Sequence, residues 1–596
     1  MKIMEHLKKV FSLDYRSLAL MRIGAGIIII LDLAERVRSL TAHYTDAGVL
    51  PRANFLELYN NPWLISVHNM SGTAVFELVL FIIAFLFAVS MLIGYRTTLA
   101  TAISWFLLVS LQNRNPLVLQ GGDGIFRCIM FFAMFLPWGK RWSFDNFLNR
   151  QKPAEEKTVF SAGTIAYITQ IFLFYFFAGV LKTGAQWHDG TALYYTLNID
   201  QFATRLGHWL LNFPALLKFL TKSTLVLETY GAIAMVFPLF NQYTRLVAVI
   251  LFAIFQIGIN TSMAIGLFGT ISVVITFGLL PSIFWDKVLP WFALSRRKGL
   301  TMYYDRDCGF CTRAIWYVKR LLFLSEYTKV IPAQEAPEIE EVMRRENSWV
   351  IVDEMGRKFY GFDGLIAAMR FSPLWWPLIF ILKLPGIHNL GEWSYKKVAE
   401  SRLTICLPPK KERFSQGKEK RGKFLRSAGE IIICTFTIFI ICWNIDTIPS
   451  REKKIVPNFL KPVAWVTRMD QKFDMFAPYP MTDDGWYVIP GKLRNGSEID
   501  VYKDGAPVSY GKPPLVSKTY MDQRWQKYMM NLWRSDFSKY RLYYGKYLCR
   551  TWNNEHTEDG EKLEEFKIIY MREDTLPNYQ TPTIKPTTTW EHYCFK

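Results

Sequence analysis

Long, predominantly apolar runs recur along the first half of the chain, at Leu18–Val37, Thr73–Gly94, Leu99–Gln112, Gly124–Pro137, Gly163–Leu181, Leu225–Phe240, Leu246–Asn260 and Gly266–Trp285. A ninth, Ala428–Ile445, stands apart from the others. In hydrocarbon a segment must satisfy its own backbone hydrogen bonds, so runs of this kind fold as membrane-crossing helices. Several are shorter than the ~20 residues a full span needs, so tilted or re-entrant pieces are expected; the pattern predicts about nine spans. With 596 residues, 51% of them apolar, the chain also has room for soluble modules.

The net charge of +19 does not mark a nucleic-acid binder, because the basic residues gather at the ends of the apolar runs. Lys2, Lys8, Lys9 and Arg16 precede the first run, Arg96 follows the second, and Lys140, Arg141, Arg150, Lys152 and Lys157 follow the fourth. Arg245 and Arg296-Arg297-Lys298 continue the series. Under the positive-inside rule these flanks are cytoplasmic if the N-terminus is. A ninth crossing then exports everything beyond Ala428–Ile445. The basic stretch from Lys410 to Arg426 meets the anionic inner leaflet, either as a simple stop-transfer flank or as a lipid contact. Membrane lipids are the one partner this pattern implies directly. No removable signal peptide is expected at the N-terminus.

Between the eighth and ninth runs lies Tyr304-Asp305-Arg306-Asp307-Cys308-Gly309-Phe310-Cys311. A strand-like run, Gly299 to Tyr304, precedes it, and a run with helical apolar spacing, Thr312 to Leu322, follows. The helix N-terminus favours a thiolate on the first cysteine, so Cys308 is the candidate nucleophile and Cys311 the candidate resolving thiol. Asp305 and Asp307 either tune the thiols and assist proton transfer or cap the helix. With no second cysteine or histidine pair nearby, a zinc site is disfavoured and no metal site is expected. Of the remaining cysteines, Cys434 and Cys442 read as core residues, and Cys549 and Cys594 can pair in an oxidising compartment.

The fifth run ends in Phe176-Phe177-Ala178-Gly179-Val180-Leu181-Lys182, followed by Trp187, His188, Asp189, Tyr194, Tyr195 and Asp200. Lys182 either snorkels to the outer interface or is a desolvated amine serving as a general base, and the polar and aromatic residues after it are candidates for a pocket at the same rim. Past the ninth run, Trp486–Ile489, Ser497–Tyr502 and Phe566–Tyr570 alternate as strands, and Gln523–Tyr540 is helix-like and aromatic, as a core element or a docking surface.

Two resemblances rest on these residues. Ser12 to Asp286 resembles the HTTM membrane domain shared with vitamin K-dependent gamma-carboxylases. The Phe-Ala-Gly-Val-x-Lys segment and Phe255–Phe268 carry the likeness. It implies that Lys182 deprotonates a reduced quinone such as vitamin K hydroquinone, and that an exported peptide is the substrate. The chain departs from the family at Gln256, where the carboxylases carry a histidine, and at a Gly121-Gly122-Asp123-Gly124 turn in place of an Asn-His stretch. Glutamine does not titrate, so the proton-transfer roles of those histidines do not carry over. Lys298 to Cys406 resembles the DCC (DUF393) family of thiol-disulfide oxidoreductases, through Tyr304-Asp305-x-Asp307-Cys308-x-x-Cys311, Val350 to Asp353, Gly361-x-Asp363-Gly364, Leu384-Pro385-Gly386 and Tyr395. A thioredoxin-like fold is implied, although Ser348-Trp349 stands where such folds commonly place a proline.

The expected architecture is thus an α-helical polytopic membrane domain over 1–290, an inserted α/β thioredoxin-like domain over 298–406, and a basic linker over 407–427. A further span over 428–446 and a mostly β extracytoplasmic domain over 447–596 complete it. The thiol module is expected in the cytoplasm. The expected function is thiol-disulfide exchange and carboxylase-like modification of an exported peptide or a quinone. The alternative is a non-catalytic maturation or transport factor with a redox-sensing thiol pair.

Overall fold

In a computed structural model, which describes residues 2–59, 61–148, 156–292, 299–322, 324, 328–372, 375–405 and 422–595, the chain forms two compact units. One comprises 1–138, 158–280 and 429–596; the other comprises 139–157 and 281–428. The basic linker from 407 to 421, Arg150, Lys152 and Arg296-Arg297-Lys298 lie outside the described residues.

Five helical segments among the described residues are long and apolar enough to cross a membrane: Tyr15–Tyr44, Ala74–Ile93, Ala162–Val180, Asn241–Ser262 and Ala428–Ile445. A sixth arises if Phe268–Phe277 and Ser282–Val288, which meet at 91°, make one broken span. The described residues therefore do not support the expected nine. Gly124–Pro137 falls on the 13-residue helix Gly121–Ala133, about 20 Å long and too short for a hydrocarbon core of about 30 Å. Leu225–Phe240 lies on Pro214–Val226, a π-helical turn Leu227–Gly231 and Ala232–Val236, which follow one another without leaving the right-handed helical conformation. Thr97–Arg114 closes in the buried polar residues Gln112, Asn113 and Arg114. With five or six candidate crossings, charge parity no longer fixes the side on which each later segment lies.

Burial separates the inner spans from the outer ones. An 18-residue stretch of Ala162–Val180 is 72% buried, against 22% for Ala74–Ile93, where Val75, Leu78, Val79, Ile82, Phe85 and Leu86 are exposed. An apolar stripe of that kind suits lipid contact. Cys434 is exposed and Cys442 half-buried on the last span, so neither is the core residue expected.

The segment beyond 447 shares a core with the helical block. Its sheet-rich part is built on Leu563–Asp574, which pairs antiparallel with Lys585–Tyr593, Asp483–Val488 and Pro490–Leu493. Glu498–Asp500 extends the Pro490–Leu493 edge. Trp486, Val488, Tyr528, Met529 and Leu563 pack in one cluster with Val49, Leu50, Phe55, Leu117 and Val118 from the N-terminal block. The helix Gln523–Trp533 is thus a core element, as the packing alternative held.

A buried quartet of ions fixes that junction. Arg524 donates to Asp32 Oδ1 at 2.5 Å and Asp123 Oδ2 at 2.6 Å. Arg36 donates to Asp32 Oδ2 at 2.8 Å, Asp123 Oδ1 at 2.9 Å and the Tyr44 hydroxyl at 2.6 Å. Asp123 does not lie in a turn as the sequence suggested. It occupies the first turn of Gly121–Ala133, where Oδ2 also accepts the Gln120 N–H at 2.8 Å.

Cys549 and Cys594 form a disulfide that closes 45 residues. By loop entropy this stabilises the sheet-rich part by about 4 kcal/mol. The double variant Cys549→Ser/Cys594→Ser should lower the urea midpoint of the purified protein correspondingly, and reduction of the wild type should reproduce the effect.

The second unit contains a four-stranded sheet in the order Lys329–Pro332, Thr301–Tyr304, Val350–Val352, Lys358–Phe359. The first pair is parallel and the others antiparallel, the arrangement of a thioredoxin-like core. Leu300, Met302, Ile315, Ile351 and Ile366 fill it. Gly361, at φ +61°, turns the chain from the last strand into Gly361–Arg370 in the left-handed conformation that glycine adopts without penalty.

Candidate functional site

The cysteine pair lies where the sequence places it, between the strand Thr301–Tyr304 and the helix Gly309–Leu321. Ala314 and Ile315 bury one face of that helix against the sheet, which fixes the register of its first turn. Cys308 precedes the helix, and its carbonyl accepts the Thr312 N–H at 3.1 Å. Its Sγ accepts the Cys311 N–H at 3.3 Å. This is the contact through which a helix N-terminus stabilises a thiolate. Cys308 is 6% exposed and Cys311 1%, so the thiols are recessed and Cys308 is the more accessible.

Neither aspartate of the motif has a described hydrogen bond to a thiol or to the helix. Asp305 Oδ1 instead accepts the Asp307 N–H at 3.0 Å and the Gln334 amide at 2.7 Å, and so holds the approach loop. Asp307 is exposed. At the position where a proline was missed, Ser348 Oγ meets the Tyr395 hydroxyl at 2.9 Å and accepts the Gly361 N–H at 2.7 Å. Motif residues that are far apart in sequence thereby support one another.

Lys182 neither snorkels nor stands alone. It is 5% exposed, and its Nζ donates to Glu228 Oε2 at 2.6 Å and to the Ala178 carbonyl at 2.9 Å. The Trp187 ring centroid is 5.0 Å from the same nitrogen. Glu228 reaches the lysine from the π-helical turn Leu227–Gly231. Gly179 lets that turn come close: a Cβ there would lie 2.5 Å from Thr229 Oγ1 and 3.1 Å from Thr229 N. The glycine of the Phe-Ala-Gly-Val-x-Lys segment therefore has a physical role, to let the carboxylate and the amine meet.

The residues after Lys182 disperse. Trp187 is buried and donates its indole N–H to the Phe476 carbonyl at 2.9 Å, whereas His188 and Asp189 are exposed. Tyr194 and Asp200 line a separate cavity of about 410 Å³ together with His208, Lys512 and Glu573. Gln256 is buried on Asn241–Ser262. Glu228 was missed by sequence reasoning, although a carboxylate inside an apolar run is itself a signal.

These features define a membrane protein that carries a thioredoxin-like dithiol module. Family comparison is specific for both parts: residues 12–285 match the HTTM domain and residues 302–407 match the DCC1-like thiol-disulfide oxidoreductase. The chain thus contains an HTTM domain followed by a DCC1-like domain. Comparison with curated proteins and with solved structures gives no match. The likeness to gamma-carboxylases accordingly rests on the Lys182 segment and Phe255–Phe268 alone.

Proposed function

We propose that the protein performs thiol-disulfide exchange through Cys308 and Cys311. The observation that carries this reading is the Cys308 sulfur at the start of Gly309–Leu321, accepting the Cys311 N–H. The Cys308 thiolate attacks one sulfur of a disulfide substrate and forms a mixed disulfide, while the other substrate sulfur leaves as a thiolate. Cys311 loses its proton and attacks the Cys308 sulfur. The second substrate sulfur departs reduced, and an intramolecular disulfide remains.

On this reading the dithiol module faces the cytoplasm and the sheet-rich part faces the exterior, where a Cys549–Cys594 disulfide is stable. Cys311→Ser should accumulate a mixed disulfide that is visible as a mass adduct, and Cys308→Ser should abolish both adduct and turnover of a model disulfide. Unchanged turnover in Cys308→Ser would reject the exchange reaction. Adduct formation without turnover in the wild type would favour a redox-sensing, non-catalytic pair.

A second reading concerns the buried Lys182–Glu228 pair. An amine and a carboxylate 2.6 Å apart and shielded from water can hold and pass a proton, as deprotonation of a reduced quinone would require. A carboxylase-like reaction on an exported peptide is the activity that such a pair would serve.

A further inference from the structure

Away from both sites, three carboxylates converge where the sheet-rich part meets the loop after Ala192–Leu197. Glu573 and Asp484 are direct cross-strand partners in the antiparallel register of Leu563–Asp574 and Asp483–Val488. Like charges placed directly opposite are destabilising unless something compensates them. Asp200 closes the group, and one oxygen from each residue lies within 4.8 Å of the others. All three residues are buried, at 7%, 1% and 6% exposed for Asp200, Asp484 and Glu573.

Lys512 pairs with both Asp200 and Glu573, and His208 Nε2 lies 2.8 Å from Asp200 Oδ1. One lysine leaves two negative charges over when all three carboxylates are ionised, a state that burial opposes by pushing Asp484 and Glu573 above the usual carboxylate range. Asp484 gains little from either base. Its Oδ2 accepts the Asp200 N–H, whereas its Oδ1, on a side chain almost wholly out of solvent, has no hydrogen-bond partner among the described residues. A buried carboxylate oxygen without a partner is costly. Its neighbours here are two more carboxylates. The cavity of about 410 Å³, lined by Asp200, His208, Lys512 and Glu573, gives access from solvent, and the Lys512 side chain is 39% exposed at its edge.

We propose that Asp200, Asp484 and Glu573 bind one hard divalent cation of the Ca²⁺ class, with the Lys512 ammonium displaced toward solvent when the cation enters. An all-oxygen donor set selects such ions over zinc or copper. The cation would satisfy the unpartnered Asp484 oxygen and cancel the excess charge. It would also join the loop after Ala192–Leu197 to two strands that lie more than 280 residues further along the chain.

The test uses the full chain in detergent, stripped with EDTA and titrated with CaCl₂, with MgCl₂ and MnCl₂ in parallel. Thermal unfolding and titration calorimetry are the readouts. CaCl₂ should raise the Tm of the wild type in a saturable way, as binding to the folded state alone requires. Asp484→Asn should weaken the affinity at least about tenfold, the smallest loss that removing a supporting group of a metal site brings. Lys512→Met should bind CaCl₂ at least as tightly as the wild type and regain with it the stability lost on removing the lysine. That variant also keeps the test open if Asp484→Asn does not fold. No Tm shift and no heat with any of the three salts would overturn the proposal, as would a shift undiminished in both Asp484→Asn and Glu573→Gln. Failure of CaCl₂ to restore Lys512→Met would assign the cationic role to the lysine alone and overturn it equally.

Discussion

Arg524→Ala should cost about 3–5 kcal/mol, the range for removing one partner from a buried ionic cluster. Arg524 and Arg36 between them neutralise Asp32 and Asp123, with side-chain exposures of 1% and 0% for the arginines. Without Arg524, two carboxylates in a water-poor site share one guanidinium. Arg524→Lys keeps the charge but loses the planar fork that reaches both aspartates, and should fall between alanine and wild type. Thermal unfolding of the detergent-solubilised variants reads the effect. A loss under about 0.5 kcal/mol, as for an ordinary surface substitution, would show that the quartet does not secure the junction.

The Lys182–Glu228 pair gives the second large effect and separates structure from chemistry. Lys182→Met alone leaves Glu228 buried without its cation and should destabilise by about 3–5 kcal/mol. Lys182→Met combined with Glu228→Leu replaces the pair with apolar groups and should recover most of that loss. If the pair handles a proton in carboxylation, the double variant is stable yet inactive with a peptide substrate and a reduced quinone. Full activity in the stabilised double variant would reduce the pair to a structural role. A double variant as unstable as Lys182→Met would show that Lys182 is held by more than its charge.

The thiol module was legible because its signals are local. The strand before Cys308 and the helix after it follow from periodicity, and the module's motif residues turned out to be its turns and half-buried hydrogen bonds, as with Gly361 and Tyr395. Lys182 was found by its motif, but its partner was not. Glu228 sits 46 residues later, in a run read only for its hydrophobicity, and the π-helical turn that aims it leaves no mark in an apolar count. The same blindness inflated the number of spans. A helix enclosed by others in a large block is as apolar as a lipid-facing one, so the buried Gly121–Ala133 passed as a crossing. The Asp200, Asp484 and Glu573 group depends on strand register across some 90 residues and on a loop from another region, which no local pattern encodes.

The ionic quartet also sets a timetable for biosynthesis. Asp32 and Asp123 emerge early, while the guanidinium that completes their neutralisation follows 401 residues after Asp123. At about 5–20 residues per second, the first helices wait roughly 20–80 s before Arg524 is made. During that interval the N-terminal block has one arginine for two carboxylates. A chain released before Arg524 never acquires the second, so truncated products should be recognised by quality-control proteases even when every helix long enough to cross the bilayer is present.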